Sequence, residues 1–226
     1  MASGEITKKF FGLLTRRERW GLSWRGWLAG LAVLLLLLAG WMRTVHPFLA
    51  ETKRVDTKIL VVEGWIEEYA IKDAVAEFKS GRYDQIYTTG GPTPGHGGYV
   101  NDFNTYASVG AELLVGDGAP KTAVQMAPSR ISGRDRTYSS ALALREHWQT
   151  NGLAVKSFNV LTEDCHARRT RDLFQKAFGP DVAVGVVSVP DPEYDPAHWW
   201  RYSEGVRVIL GESIAYLYAK LLFHPN

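Results

Sequence analysis

From Lys58 onward, short apolar runs alternate with stretches of helical period, and that alternation restricts the chain to an α/β architecture. The runs fall at residues 59–62, 85–89, 122–127, 158–161 and 182–189. Between them, Ile71, Ala74, Val75 and Phe78 share one helical stripe, and residues 101–115 read as a second helix. Ala141, Leu144 and Trp148 keep register in a helix beginning near Asp135, and Leu173, Phe174, Ala177 and Phe178 mark another. The expected fold is a three-layer, Rossmann-like, mainly parallel sheet of about five strands between helices, joined by right-handed crossovers. Residues 196–223 predict a closing amphipathic helix, broken near Gly211.

A different pattern precedes this domain. Residues 26–42 are almost uninterrupted Leu, Ala, Val, Gly and Trp, and with Trp24 and Val45 they reach roughly the 20 residues that a bilayer requires. The expected division is a basic cytoplasmic segment over residues 1–25, a transmembrane helix over 26–45, a polar linker over 46–57 and the α/β domain over 58–226. Trp20, Trp24 and Trp27 on one side and Trp41 on the other suit the two membrane interfaces. Lys8, Lys9, Arg16, Arg17, Arg19 and Arg25 precede the span, whereas Arg43, Lys53 and Arg54 follow it. That bias predicts an N-terminus in the cytoplasm and a domain on the far side of the inner membrane, periplasmic or otherwise extracytoplasmic. A cleaved signal peptide is the competing reading, but Trp41, Met42 and Arg43 stand where its small-residue cleavage site would fall.

The net charge of +2 comes from the front of the chain. Beyond residue 25 there are 20 bases against 22 acids, which argues against a nucleic-acid-binding domain. Cys165 is the single cysteine, so no intramolecular disulfide forms.

Residues 159–179 point to a site. An apolar strand ends in Thr162, Glu163 and Asp164, then turns directly into a basic helix. His166 lies four residues before Thr170 and three before Arg169, so it continues the inward stripe at the strand's carboxyl edge, where open α/β sheets bind ligands. Arg168 and Arg171 read equally well as part of an anion site at the helix N-terminus or as solvated or paired with Asp172 and nearby acids. At the same edge stand Glu63 after the first strand, the glycine-rich stretch with Gly90 and Gly91 after the second, and Arg130 and Thr137 after the third. Glu63 suits a general base or a holder of substrate hydroxyls, or else caps the next helix. Glycines let backbone N–H groups approach an anion, though such a stretch also makes a lid. Thr137 occupies on its helix the place that His166 holds on the later one, or caps locally. Thr162 joins the candidate ligand contacts. His96, His166 and Glu63 lack HxxxH, HExxH or CxxC spacing, so no metal is expected, and no cofactor is specified. Cys165 is not expected to be a nucleophile, because adjacent helical residues point apart.

Taken together, these motifs resemble the YdcF, SanA and ElyC-like family over roughly residues 58–222. The family's strand ending in V-T-S, its Tyr-His pair and its following R-A correspond to LTEDCHARRT, aligning the family histidine with His166 and its arginine with Arg169. Thr89-Gly90-Gly91 stands where the family has S-G-G, and Thr137 in Asp135-Arg136-Thr137 stands for its threonine before a helix. Two positions depart: Glu63 replaces the usual glycine after the first strand, and Ser139 and Ser140 replace the usual acid or Asn. The resemblance implies a Rossmann-like domain tethered to the inner membrane, facing the periplasm, and linked to envelope integrity or cell-wall polymer metabolism. Two functions are therefore expected. One is a hydrolase or transferase acting on a phosphate- or carboxylate-bearing glycan, from peptidoglycan or surface polysaccharide, or on a lipid-linked intermediate; Arg169 and Arg130 hold the anion and His166 serves as acid or base. The other is a non-catalytic ligand-binding or regulatory module using the same pocket.

Overall fold

The computed structural model describes residues 8–9, 14–15, 23–93, 105–130 and 135–225. The chain forms two units, residues 1–41 and 42–226. In the first, Lys8–Lys9 pairs antiparallel with Leu14–Thr15. Helix α1 (Trp24–Leu49) begins in this unit, and its apolar side chains from Leu28 to Leu38 are exposed, as a lipid-facing segment requires. It is the one helix among the described residues that is long and apolar enough to cross a membrane.

The second unit is the α/β domain. Its strands are β1 (Ile59–Glu63), β2 (Gln85–Gly90), β3 (Val124–Pro128), β4 (Ser157–Glu163) and β5 (Ala183–Val189). All four pairings are parallel, in the order β3-β2-β1-β4-β5. The strand order reverses between β1 and β4, and the crevice beyond the carboxyl ends of those strands is the place for a ligand in a doubly wound sheet.

Alternation sets the two layers. Leu60, Val62, Ile86 and Leu161 face helices α2 (Glu68–Glu77) and α3 (Tyr106–Gly116). Val61, Tyr87, Phe158 and Val160 face α4 (Arg136–Thr150) and α5 (Ala167–Phe178). Because β1 continues its alternation to its last residue, Glu63 falls on the α4–α5 side at the upper edge of the core. A tight close approach sits beside it: a Cβ on Gly64 would lie 2.1 Å from the Tyr106 carbonyl oxygen, and one on Gly110 would lie 2.7 Å from Gly64 Cα. The three-layer arrangement matches the expectation from periodicity, and the sheet is wholly parallel.

Three stretches differ from that expectation. The apolar helix does not stop near Val45: it continues through Pro47 to Leu49. Val45 and Leu49, one turn apart, are buried with Cys165, Tyr194, Trp199 and Ile209, and that packing outweighs the proline's lost hydrogen bond. Residues 50–57 are not a free linker either. Lys53 exchanges two 2.8 Å backbone bonds with Val186 of β5, and Asn159 holds Val55 with both side-chain atoms, at 2.8 and 3.0 Å. Glu51 takes Arg168 at 2.7 Å and Arg171 at 2.6 Å, so both arginines are paired. Since Arg168 remains on Glu51 when its neighbour is removed, Arg171→Ala is expected to cost only about 1 kcal/mol in a denaturation midpoint measurement.

The closing segment is a 3-10 turn, Pro196–Arg201, followed by α6 (Ser203–Leu221). The interruption lies at Tyr202, which is extended, and α6 runs unbroken through Gly211. Its inward face carries Gly205, Ile209, Glu212 and Ala219, while Leu210, Ile214, Leu217 and Leu221 are exposed on the opposite side, so the helix is apolar on two faces.

Candidate functional site

Glu63 ends β1 and is only 2% exposed, and the hydroxyl of the fully buried Thr170 donates to its Oε2 at 2.9 Å. Thr170 belongs to the buried stripe of α5, with Ala167, Leu173, Phe174 and Ala177. His166 closes the Asp164–His166 turn immediately before that helix, and Arg169 lies one turn further on, so the two side chains meet at i, i+3. Their contact is close, 3.0 Å from Arg169 Nη2 to His166 Nδ1. The Trp65 ring packs edge-on against the imidazole, with centroids 4.8 Å apart.

The partner that the sequence reading missed is Glu212. It comes from α6, buried on that helix's inward face, and it takes Arg169 in a two-pronged pair: Nε to Oε2 at 2.7 Å and Nη2 to Oε1 at 3.0 Å. Its Oε1 also lies 3.1 Å from His166 Nδ1. Burial pushes the Glu212 carboxyl up, but the hydrogen bond and charge of His166 and those of Arg169 outweigh it and hold the group at about 2. For Arg169, burial acts to lower the pKa, and the Glu212 hydrogen bond and charge raise it above its ordinary value.

This triangle fixes what the imidazole can do. When Nδ1 carries its proton, it donates to Glu212 and leaves Nε2 as a base; when Nδ1 is bare, it accepts from Arg169 and Nε2 becomes a donor. No described residue bonds Nε2. A carboxylate that orients the far nitrogen of a histidine is the arrangement by which acid–base sites fix a tautomer. A carboxylate on the apolar stripe of a helix, with Ile209 and Ala219 as its companions, was the sequence signal for Glu212.

These residues open on a cavity of about 500 Å³ at the switch point. Glu63, Gly90, Gly91, Thr137, His166 and Arg169 all line it, drawn from β1, the end of β2 and the residue after it, α4, the Asp164–His166 turn and the start of α5. Leu173, Ala215, Tyr218, Ala219 and Phe223 make an apolar side wall. Gly90 is needed for packing as well as for the cavity: its φ is +151°, and a Cβ there would lie 2.6 Å from Tyr106 Cβ. The remaining glycines of that stretch and His96 lie outside the described residues.

Two expected contacts are not in the wall. Thr162 is fully buried within β4, because the strand runs one residue beyond it to Glu163. Arg130 is exposed past the end of β3, the outer strand of the sheet, two strands from the switch point. Its place is taken by Arg136, which lines the cavity and has no hydrogen-bond or ion-pair partner among the described residues. Arg136 and Thr137 form the first turn of α4, whose N-cap Asp135 has φ +58° and makes no side-chain cap. The free N–H groups of that turn and Arg136 offer positive charge, with the Asp135 carboxylate on the same rim.

On the other face of the sheet, Glu163 accepts a hydrogen bond from the Glu67 backbone at the start of α2. Burial pushes its carboxyl up to about 7, against the lowering effect of that bond. The two glutamates therefore act in opposite directions. Glu212, with a depressed pKa, contributes stability above its ordinary value near 4.5 that is lost as the pH falls toward 2. Glu163, with a raised pKa, contributes stability below 4.5 that is lost as the pH rises through 7. Glu163→Gln is expected to flatten the upper limb, by about 1 kcal/mol between about pH 5 and pH 8 after allowance for its partial exposure. Urea titrations at a series of pH values measure this, and an unchanged slope refutes it.

Potential metal ligands come together elsewhere. Atoms of His46, Asp164 and Cys165 lie within 4.8 Å of one another. They already hydrogen-bond: His46 Nε2 lies 2.9 Å from Asp164 Oδ1, the Tyr194 hydroxyl donates to Asp164 Oδ2, and Cys165 Sγ sits 3.7 Å from the Tyr194 oxygen. Burial and the Asp164 charge push the Cys165 thiol up, which disfavours the nucleophilic thiolate. The cluster holds Asp164 at φ +30°, a conformation that needs such support, two residues before His166. No family model, no curated protein and no solved structure matches this chain.

Proposed function

We propose that the chain is a membrane-anchored protein of cell-envelope biogenesis. In this reading its switch-point cavity acts on an anionic glycan or a lipid-linked intermediate, by hydrolysis or group transfer. α1 supplies the anchor, and the basic excess before it sets the N-terminus in the cytoplasm and the domain outside. The resemblance to the YdcF, SanA and ElyC-like family supports the same setting.

The observation that carries the chemistry is the convergence of His166, Glu63 and Arg169 with the free first turn of α4 on one cavity. Arg136 and the N–H groups of that turn take the phosphate or carboxylate of the ligand. His166, aligned by Glu212, exchanges a proton through Nε2 with a water or a leaving oxygen, and Glu63 holds a hydroxyl or receives the second proton. Arg169 keeps the Glu212 carboxylate in place and adds positive potential at the cavity floor.

Mass spectrometry of the full chain, extracted from membranes with its retained ligand, tests this reading. An acidic, sugar-bearing or lipid-linked compound is expected, lost on Arg136→Ala. A neutral compound, or retention that ignores both Arg136→Ala and His166→Ala, overturns it. The pairing of Arg169 with Glu212 favours a second reading, a non-catalytic ligand-binding module, since that guanidinium is already committed to the fold. His166→Gln separates the two. If the site is catalytic, the variant keeps the ligand but accumulates it unconverted; a binding module leaves the same compound in both proteins.

A further inference from the structure

Residues 198–202 read His-Trp-Trp-Arg-Tyr, an aromatic and basic run that the site chemistry does not use. It holds the place where the apolar run enters the domain. The Trp199 indole, 3% exposed, donates from Nε1 to the Met42 carbonyl at 2.8 Å and packs with Val45, Leu49 and Ile209. Trp200 is half-buried, whereas Arg201 and Tyr202 are exposed. One turn beyond Met42, a helical rise of about 6 Å, His46 binds Asp164, the residue that follows β4 and stands two before His166. The end of the apolar run and the cavity therefore share the carboxyl edge of the sheet. The opposite edge, marked by Leu153 ahead of β4, lies the length of a seven-residue strand away, roughly 23 Å.

We infer that the carboxyl edge of the domain is a membrane-binding surface, with Trp200, Arg201 and Tyr202 seated in the lipid headgroup layer. The inference rests on the anchored reading above and adds which face meets the bilayer. Tryptophan and tyrosine suit that layer because each joins an apolar ring to a polar atom, and arginine reaches lipid phosphates while its stem covers apolar surface. Chain continuity makes the bilayer the occupant, since the run is packed on Met42, the last residue of the apolar stretch. The cavity mouth then lies within reach of headgroups, and a substrate arrives along the membrane plane.

The test uses the full chain in phosphatidylcholine vesicles containing phosphatidylglycerol and a nitroxide-headgroup lipid. A fluorophore is placed by Tyr202→Cys in one sample and by Leu153→Cys in another; the native Cys165 is buried and does not label. Quenching several-fold stronger at position 202 than at 153 is expected, and Trp200→Ser should weaken it. A chain that floats with the vesicles but shows equal quenching at both positions overturns this inference alone. Fluorophores at 202 that self-quench without lipid quenching also overturn it, by assigning the surface to a second copy of the chain. A chain that does not float overturns the anchored reading together with this one.

Discussion

Replacing Glu212 with alanine is expected to destabilise the domain by about 3–5 kcal/mol, the usual cost of stranding one member of a buried ion pair. Glu212 is the only carboxylate that the Arg169 guanidinium hydrogen-bonds among the described residues, and both side chains are largely covered. Without it, Arg169 keeps its charge in a poorly solvated place, hydrogen-bonded only to the His166 ring among the described residues and offset only by the nearby Glu63 charge. Arg169→Met alone should cost a similar amount by stranding the acid. The double variant Arg169→Met with Glu212→Leu should recover most of the loss, because an apolar pair of similar volume avoids the desolvation of both charges. Urea denaturation of the full chain in detergent measures all three. A loss below about 1 kcal/mol for Glu212→Ala would equate the pair with an exposed salt bridge, and the histidine would need another explanation for its orientation.

Gly64→Ala is expected to cost about 3 kcal/mol or more, since the added methyl meets backbone that no side-chain rotation can clear. The obstruction is the Tyr106 carbonyl, 2.1 Å from the new atom, and the Gly110 Cα lies against the same glycine. Relief requires α3 to lift off β1, which would also move Tyr106 out of the cavity wall. Gly116→Ala, in the same helix with nothing within 4 Å, is the control and should raise stability by about 0.5–1 kcal/mol. Thermal melts that rank the two alike would refute the close approach.

The sheet and its helices were legible because their signals are local. Alternation along β1 and β4 and the stripe of α5 each report which side faces inward, and that was enough to bring Glu63, His166, Arg169 and Thr137 to one edge. The errors arose where the deciding contact is distant in sequence. Arg169 and Glu212 are 43 residues apart, and nothing in either neighbourhood specifies the other. Pro47 and the polar residues after it look like a helix stop and a tether, yet Val45 and Leu49 find their packing partners in residues 165–209. Arg130 was misplaced because counting loops at one edge does not tell which strand lies outermost. Thr162 was misplaced because a strand's last residue is uncertain by one or two positions.

The pairing of residues 52–55 with β5 bears on how this protein can be cut. β5 is the last strand of its sheet, and its outer edge is occupied by Lys53, which bonds Val186 in both directions, and by the Thr52 hydroxyl, which accepts from the Ser188 N–H. A fragment that starts at Lys58, where the apolar periodicity begins, leaves those donors and acceptors bare beside Val184, Val187 and Val189 and strips Asn159 of its two bonds to Val55. Such an uncovered, valine-rich margin is a template for strand addition between molecules. The smallest fragment with a closed sheet therefore begins before Thr52, and one that also keeps the His46–Asp164 contact begins before His46.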